Sequence, residues 1–74
     1  MSPKEPHRAT QRVIDILDSI ASGTEQGLSL SELSTQLAAP KSSLFPIVHT
    51  LCQNNLIAFN EQTGKYTMGF KTYE

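Results

Sequence analysis

The chain has a single cysteine, Cys52, so no internal disulfide can form and a reducing cytoplasm is its natural setting. No run approaches the roughly 18 apolar residues that a membrane-spanning helix needs. The start, Met1 to Arg8, carries charges and two prolines with no hydrophobic stretch behind them, which is not a secretory signal. Gly23, Gly27 and Gly64 have no phosphate-loop spacing, and neither a GxGxxG, a Walker pattern nor an HExxH is present. Cations are scarce as well. Six Lys and Arg against seven Asp and Glu give a net charge of −1, where a dedicated nucleic-acid binder is usually basic.

What is there is unevenly placed. Lys4, Arg8 and Arg12 cluster at the start, Asp15, Asp18, Glu25 and Glu32 fall in one middle stretch, and Lys41, Lys65 and Lys71 return later. A local patch of one sign can form despite the balance. Seventy-four residues make one domain at most. A chain this short buries about 60% of its extended surface, which leaves little room for a catalytic cavity with its supporting shell. Asp15 and Asp18 share a helix face with nothing convergent around them and read as solvated surface. His49 and Cys52 point to different sides of one helix, and two ligands fall short of a zinc site. No cofactor and no enzymatic activity are expected.

Residues 1–8 read as a flexible arm. Ala9, Val13, Ile16, Leu17, Ile20 and Ala21 follow i, i+3, i+4 spacing, an amphipathic helix of about three turns. Residues 22–27 form a loop. Leu28-Ser29-Leu30 alternates as a two- or three-residue strand. A short second helix then begins on Ser31 as N-cap, or two residues earlier on Ser29 in a capping box with Glu32. Leu33 and Leu37 supply its buried face, and Ala38-Ala39-Pro40 ends it. From Lys41 to Asn54 the residues Leu44, Ile47, Val48, Leu51 and Cys52 lie on one side, with Ser42, Pro46, His49 and Gln53 opposite and Phe45 on the flank. Asn54-Asn55 is a plausible stop. Leu56 to Phe59 and Lys65 to Met68 make a β-hairpin around the polar turn 60–64. The fold class is mainly α with a small hairpin: a winged helix-turn-helix of three helices and a two- or three-stranded wing sheet.

Arg12-Val13-Ile14-Asp15-Ile16-Leu17, Leu28-Ser29-Leu30-Ser31-Glu32-Leu33 and Pro40-Lys41-Ser42-Ser43-Leu44, in that order, resemble the isocitrate-lyase-regulator (IclR-type) family of bacterial transcription regulators. Gly64-Lys65-Tyr66-Thr67-Met68-Gly69 is similar to that family's wing strand and its exit into a linker helix, which would begin over residues 70–74. The resemblance spans Ala9 to Glu74. It implies the DNA-binding domain (residues 9–69) of a homodimeric or larger cytoplasmic regulator, with a small-molecule effector bound by a domain beyond this sequence. One position departs from the family. Two residues after Leu44, where an arginine is usual, stands Pro46. A continuous helix from Lys41 with a local distortion is favoured, because the apolar face is unbroken; a helix capped by Ser43 would instead put the proline in the first turn.

The helix beginning near Lys41 is the candidate for the major groove of an operator duplex. Lys41 suits a phosphate or a guanine edge, Ser42 and Ser43 a phosphate or either base type, and Phe45 a thymine methyl or, alternatively, packing under the wing or in a dimer. Pro46 and His49 complete that face. Ser29 and Ser31, with the free N–H groups of the second helix, suit a backbone phosphate. As in similar domains, Arg8 and Arg12 would reach the minor groove from the arm, and Thr63 and Lys65 at the wing tip would touch the flanking backbone. The competing reading is a winged helix used for protein–protein contact alone, favoured by the acidic balance and by Pro46.

Overall fold

The computed structural model describes residues 7–69. The expected arm up to Pro6 and the expected linker helix over 70–74 lie outside the described residues. Helix α1 runs Arg8–Ser22, about four turns rather than three. Arg8 is therefore helical, not part of an arm. The reason is His7, whose Nδ1 accepts the Thr10 N–H at 3.3 Å and lies 2.9 Å from the Thr10 hydroxyl, satisfying an orphan donor of the first turn.

Strand β1 is Leu28–Ser29, and Leu30 already opens helix α2 (Leu30–Leu37). Of the two possible starts the helix uses Ser29. Its hydroxyl accepts the Glu32 N–H at 3.1 Å, and the Glu32 carboxylate accepts the Ser29 N–H at 2.8 Å. This reciprocal capping box fixes the helix entry. Ala38, in the left-handed conformation at φ 52°, ends α2, and Ser34 donates its hydroxyl to the Ala39 carbonyl. Residues 38–40 thus form a three-residue turn into helix α3 (Lys41–Gln53).

Helix α3 is uninterrupted, with Pro46 in its interior. Ser43 is not its cap: Pro40 precedes the helix, and its carbonyl accepts both the Ser43 and the Leu44 N–H, at 3.0 and 3.3 Å. Asn55 takes the left-handed conformation at φ 63° that lets the chain turn out of α3. The Leu56 N–H returns to the Leu51 carbonyl and the Gly69 N–H reaches the Leu56 carbonyl, so strand β2 starts one residue later than the β-prone run, at Ile57–Asn60. Strand β3 is Lys65–Met68.

The sheet is antiparallel in the order β1-β3-β2, with Leu28 opposite Tyr66, Ser29 opposite Lys65, and Phe59 opposite Tyr66. Ile16 and Ile20 from α1, Leu33 from α2, Leu44, Val48 and Leu51 from α3, and Leu28, Ile57 and Tyr66 from the sheet fill one core. Cys52 packs half-buried at its edge. Gly27, at φ 87°, is required where β1 meets β3, because a Cβ there would fall on the Tyr66 carbonyl and the Thr67 methyl. The architecture is a winged helix-turn-helix with a three-stranded wing sheet.

Candidate nucleic-acid interface

Helix α3 spends one side on the core, through Leu44, Val48 and Leu51, and leaves Lys41, Ser42, Ser43, Phe45, Pro46, His49, Thr50 and Gln53 exposed. At 3.6 residues per turn, Lys41, Phe45 and His49 form one row along this surface, with Ser42, Pro46 and Gln53 beside it. The Phe45 and His49 rings stack, their centroids 5.7 Å apart and their planes 24° from parallel. Phe45 is 49% exposed. It is not packed under the wing, where the Phe59 ring instead meets Tyr66 at 4.8 Å. Thr50 turns its hydroxyl inward, donating it to the Pro46 carbonyl at 2.9 Å. Pro46 borders a shallow apolar groove with Val13 of α1 and with Ile47 and Leu51 of its own helix.

The α2 N-terminus is already occupied. The Ser29 hydroxyl and the Glu32 carboxylate take up its first donors, so the N–H groups expected to be free for a phosphate are partly spent. The Ser29 N–H holds the Glu32 carboxyl below its ordinary value of 4.5, outweighing an opposing cost of desolvation, with a lesser contribution from the Lys65 charge. A carboxylate standing there opposes an incoming anion. Ser31, one residue into the helix, is exposed and makes no side-chain hydrogen bond among the described residues.

Lys65 closes the turn of the wing, opposite Asn60 on one side and Ser29 on the other. Its ammonium lies 3.9 Å from Glu32, linking the sheet to the start of α2. The tip is built by Asn60, whose side-chain carbonyl accepts the Gln62 and Thr63 N–H groups at 2.8 and 3.3 Å. Thr63 in turn accepts the Lys65 N–H on its hydroxyl at 3.3 Å. On α1, Arg8 and Arg12 share one face with Gln11 and Asp15, lining a shallow depression in which Gln11 donates to Asp15 at 3.0 Å.

The candidate residues thus fall into three groups: the α3 row, the junction of α2 and wing, and the α1 pair. Gln53, four residues after His49, extends the exposed face of α3, as the helical spacing predicts. His7 carried no such signal; its capping role depends on where α1 begins. Burial raises the Cys52 thiol, whereas His49 is exposed on another side of α3. Among the described residues no group of three or more His, Cys, Asp or Glu gathers to hold a metal ion, and no helix is long and apolar enough to cross a membrane.

Residues 9–61 match the family model of the IclR helix-turn-helix domain. The chain belongs to this family. The match runs from the first turn of α1 into the wing turn, so the first wing strand lies inside it and β3 beyond it. No curated protein and no solved structure matches. The IclR-type domain is a DNA-binding domain of transcription regulators, and its partner is DNA.

Proposed function

We propose that this IclR-type domain binds duplex DNA sequence-specifically, with α3 in the major groove and the turn of the wing against the flanking backbone. One observation carries the reading. The helix after the three-residue turn gives only part of its surface to the core and exposes a row of cation, aromatic and imidazole along the rest. A major groove about 12 Å wide admits one such helix, and its N-terminal residues come nearest the bases. Lys41, with no acidic partner among the described residues, supplies the phosphate or guanine contact. Ser42, Ser43 and Ser31 supply short hydroxyl contacts, Arg8 and Arg12 a cationic face on α1, and Thr63 a contact at the wing. Ser29 acts mainly by holding α2 in place. The domain works in the cytoplasm as part of a homodimeric regulator, with a small-molecule effector bound outside residues 9–69, and it is a binding module rather than an enzyme. The resemblance noted in the sequence supports that larger setting.

A protein-contact module is the second reading, favoured by the pairing of Lys65 with Glu32 and by the missing cation at Pro46. Titrating the protein with DNA from upstream of its own gene, at rising salt, separates the two. Affinity should fall along a log–log slope of about −0.9 per phosphate contact, and Lys41→Ala should flatten the slope by about one contact. Absence of binding at low salt, even as a dimer, sinks the DNA reading.

A further inference from the structure

We infer that Phe45 and His49 together form a base-reading pair that selects a thymine followed, about two steps away, by a purine; the inference rests on the major-groove placement of α3 proposed above. A large aromatic ring left 49% exposed contributes little to the core. Its ring lies nearly parallel to the His49 imidazole at 5.7 Å. Each ring therefore restricts the other before DNA arrives, which lowers the cost of ordering them on binding.

The chemistry of the two rings differs in a useful way. Phenylalanine has neither donor nor acceptor, so the base edge it covers should need neither. Thymine presents its 5-methyl group in the major groove, whereas cytosine presents an amino donor that an aromatic ring would leave unpaired. The imidazole carries an N–H that donates to the N7 of a purine, or to O6 of guanine. Residues four apart stand about 6 Å apart along a helix, against about 3.4 Å per base step. Phe45 and His49 therefore address bases roughly two steps apart. Lys41, in the same row four residues before Phe45, lies on the far side of the thymine from the purine.

The test uses the whole chain and duplexes selected from a random pool at fixed salt. Each thymine of the selected sequence is replaced singly by deoxyuridine, which removes only the methyl group, and each purine by its 7-deaza analogue, which removes only N7. One thymine per half-site should weaken binding about fourfold when replaced, the worth of one buried methyl group. That loss should vanish in Phe45→Ala. A 7-deaza purine about two steps away should cost about fivefold in the parent protein and nothing further in His49→Ala. Both side chains are exposed, so the variants should fold, and circular dichroism checks that they do. Specific binding that ignores every methyl and N7 replacement, or sensitivities that persist in the variants, overturns this inference and leaves the proposed function standing. Failure to select any duplex overturns both.

Discussion

Replacing Pro46 with alanine isolates what the departure in α3 costs. Pro46 is the sixth residue of a helix that begins at Lys41, well past the first turn where a missing N–H is harmless. An alanine there would donate its N–H to the Ser42 carbonyl four residues back, and the clash of the ring with that carbonyl would disappear. An interior proline costs about 3 kcal/mol relative to alanine in an unadapted helix. Two effects reduce the gain here. The proline restricts the unfolded chain, an advantage of about 0.4–1 kcal/mol that alanine gives up. Its ring also borders the groove with Val13, Ile47 and Leu51, and alanine covers less of that apolar surface. The net expectation is a stabilisation of about 1–2 kcal/mol, which for a domain this small raises the melting temperature by roughly 5–15 °C. Thermal unfolding followed by far-ultraviolet circular dichroism reads it directly. A melting temperature that stays or falls would refute the reasoning, because the ring's packing between α1 and α3 would then outweigh the lost hydrogen bond. Pro46→Arg should share most of that stabilisation and also tighten DNA binding, steepening its salt slope by about one phosphate contact.

Gly27→Ala should cost about 3 kcal/mol or more, since a side chain at φ 87° would meet the Tyr66 carbonyl, and urea unfolding will show the lowered midpoint. Ala38→Gly should stabilise the helix-turn-helix corner by about 0.5–1 kcal/mol in the same assay, because glycine accepts φ 52° without the left-handed penalty. Glu32 titrates below its ordinary 4.5 in the folded protein, chiefly through the Ser29 N–H. Its contribution is therefore fully present above pH 4.5 and is lost as pH falls through the lower folded value. Glu32→Gln should flatten that acid limb of the urea midpoint. The same variant should bind DNA more tightly at neutral pH by releasing Lys65 and removing a carboxylate from the α2 N-terminus, as fluorescence anisotropy would register.

Where an element was legible in the sequence, two signals agreed. The apolar spacing of Ile16 with Ile20, and of Leu44, Val48 and Leu51, located α1 and α3, and the core uses those residues. Lys65–Met68 alternates between turn residues, and it is strand β3 over that span. The start of α2 offered two serines, and periodicity alone does not choose between them. The pairing of Ser29 with Glu32 does, because it satisfies two donors at once. The start of α1 is less legible for a related reason. A histidine is not an expected cap, so nothing in the sequence before Ala9 announces the helix, although it begins at Arg8. On the candidate interface, the composition of the α3 face was readable, but the stacking of Phe45 on His49 and the ion pair of Lys65 are contacts. The second joins residues far apart in the chain, which no local pattern encodes.

The interface is consequently poorer in usable charge than even the net charge of −1 suggests. Glu32 holds Lys65 and stands over the helix end where a phosphate would otherwise sit, while Pro46 takes the place of a cation on α3. Among the described residues Lys41, Arg8 and Arg12 remain, on two different helices. Counterion release scales with the phosphates neutralised, so one copy of such a surface gains little sequence-independent affinity. Base contacts must then carry a larger share of the binding free energy than in a strongly basic domain. A second copy on a neighbouring half-site would raise the affinity by effective concentration without adding charge. A weakly charged reader of this kind loses less to competing non-specific DNA, because the electrostatic term it lacks is the one that every duplex supplies. On the proposed placement of α3, discrimination is thereby concentrated in the row from Lys41 to His49.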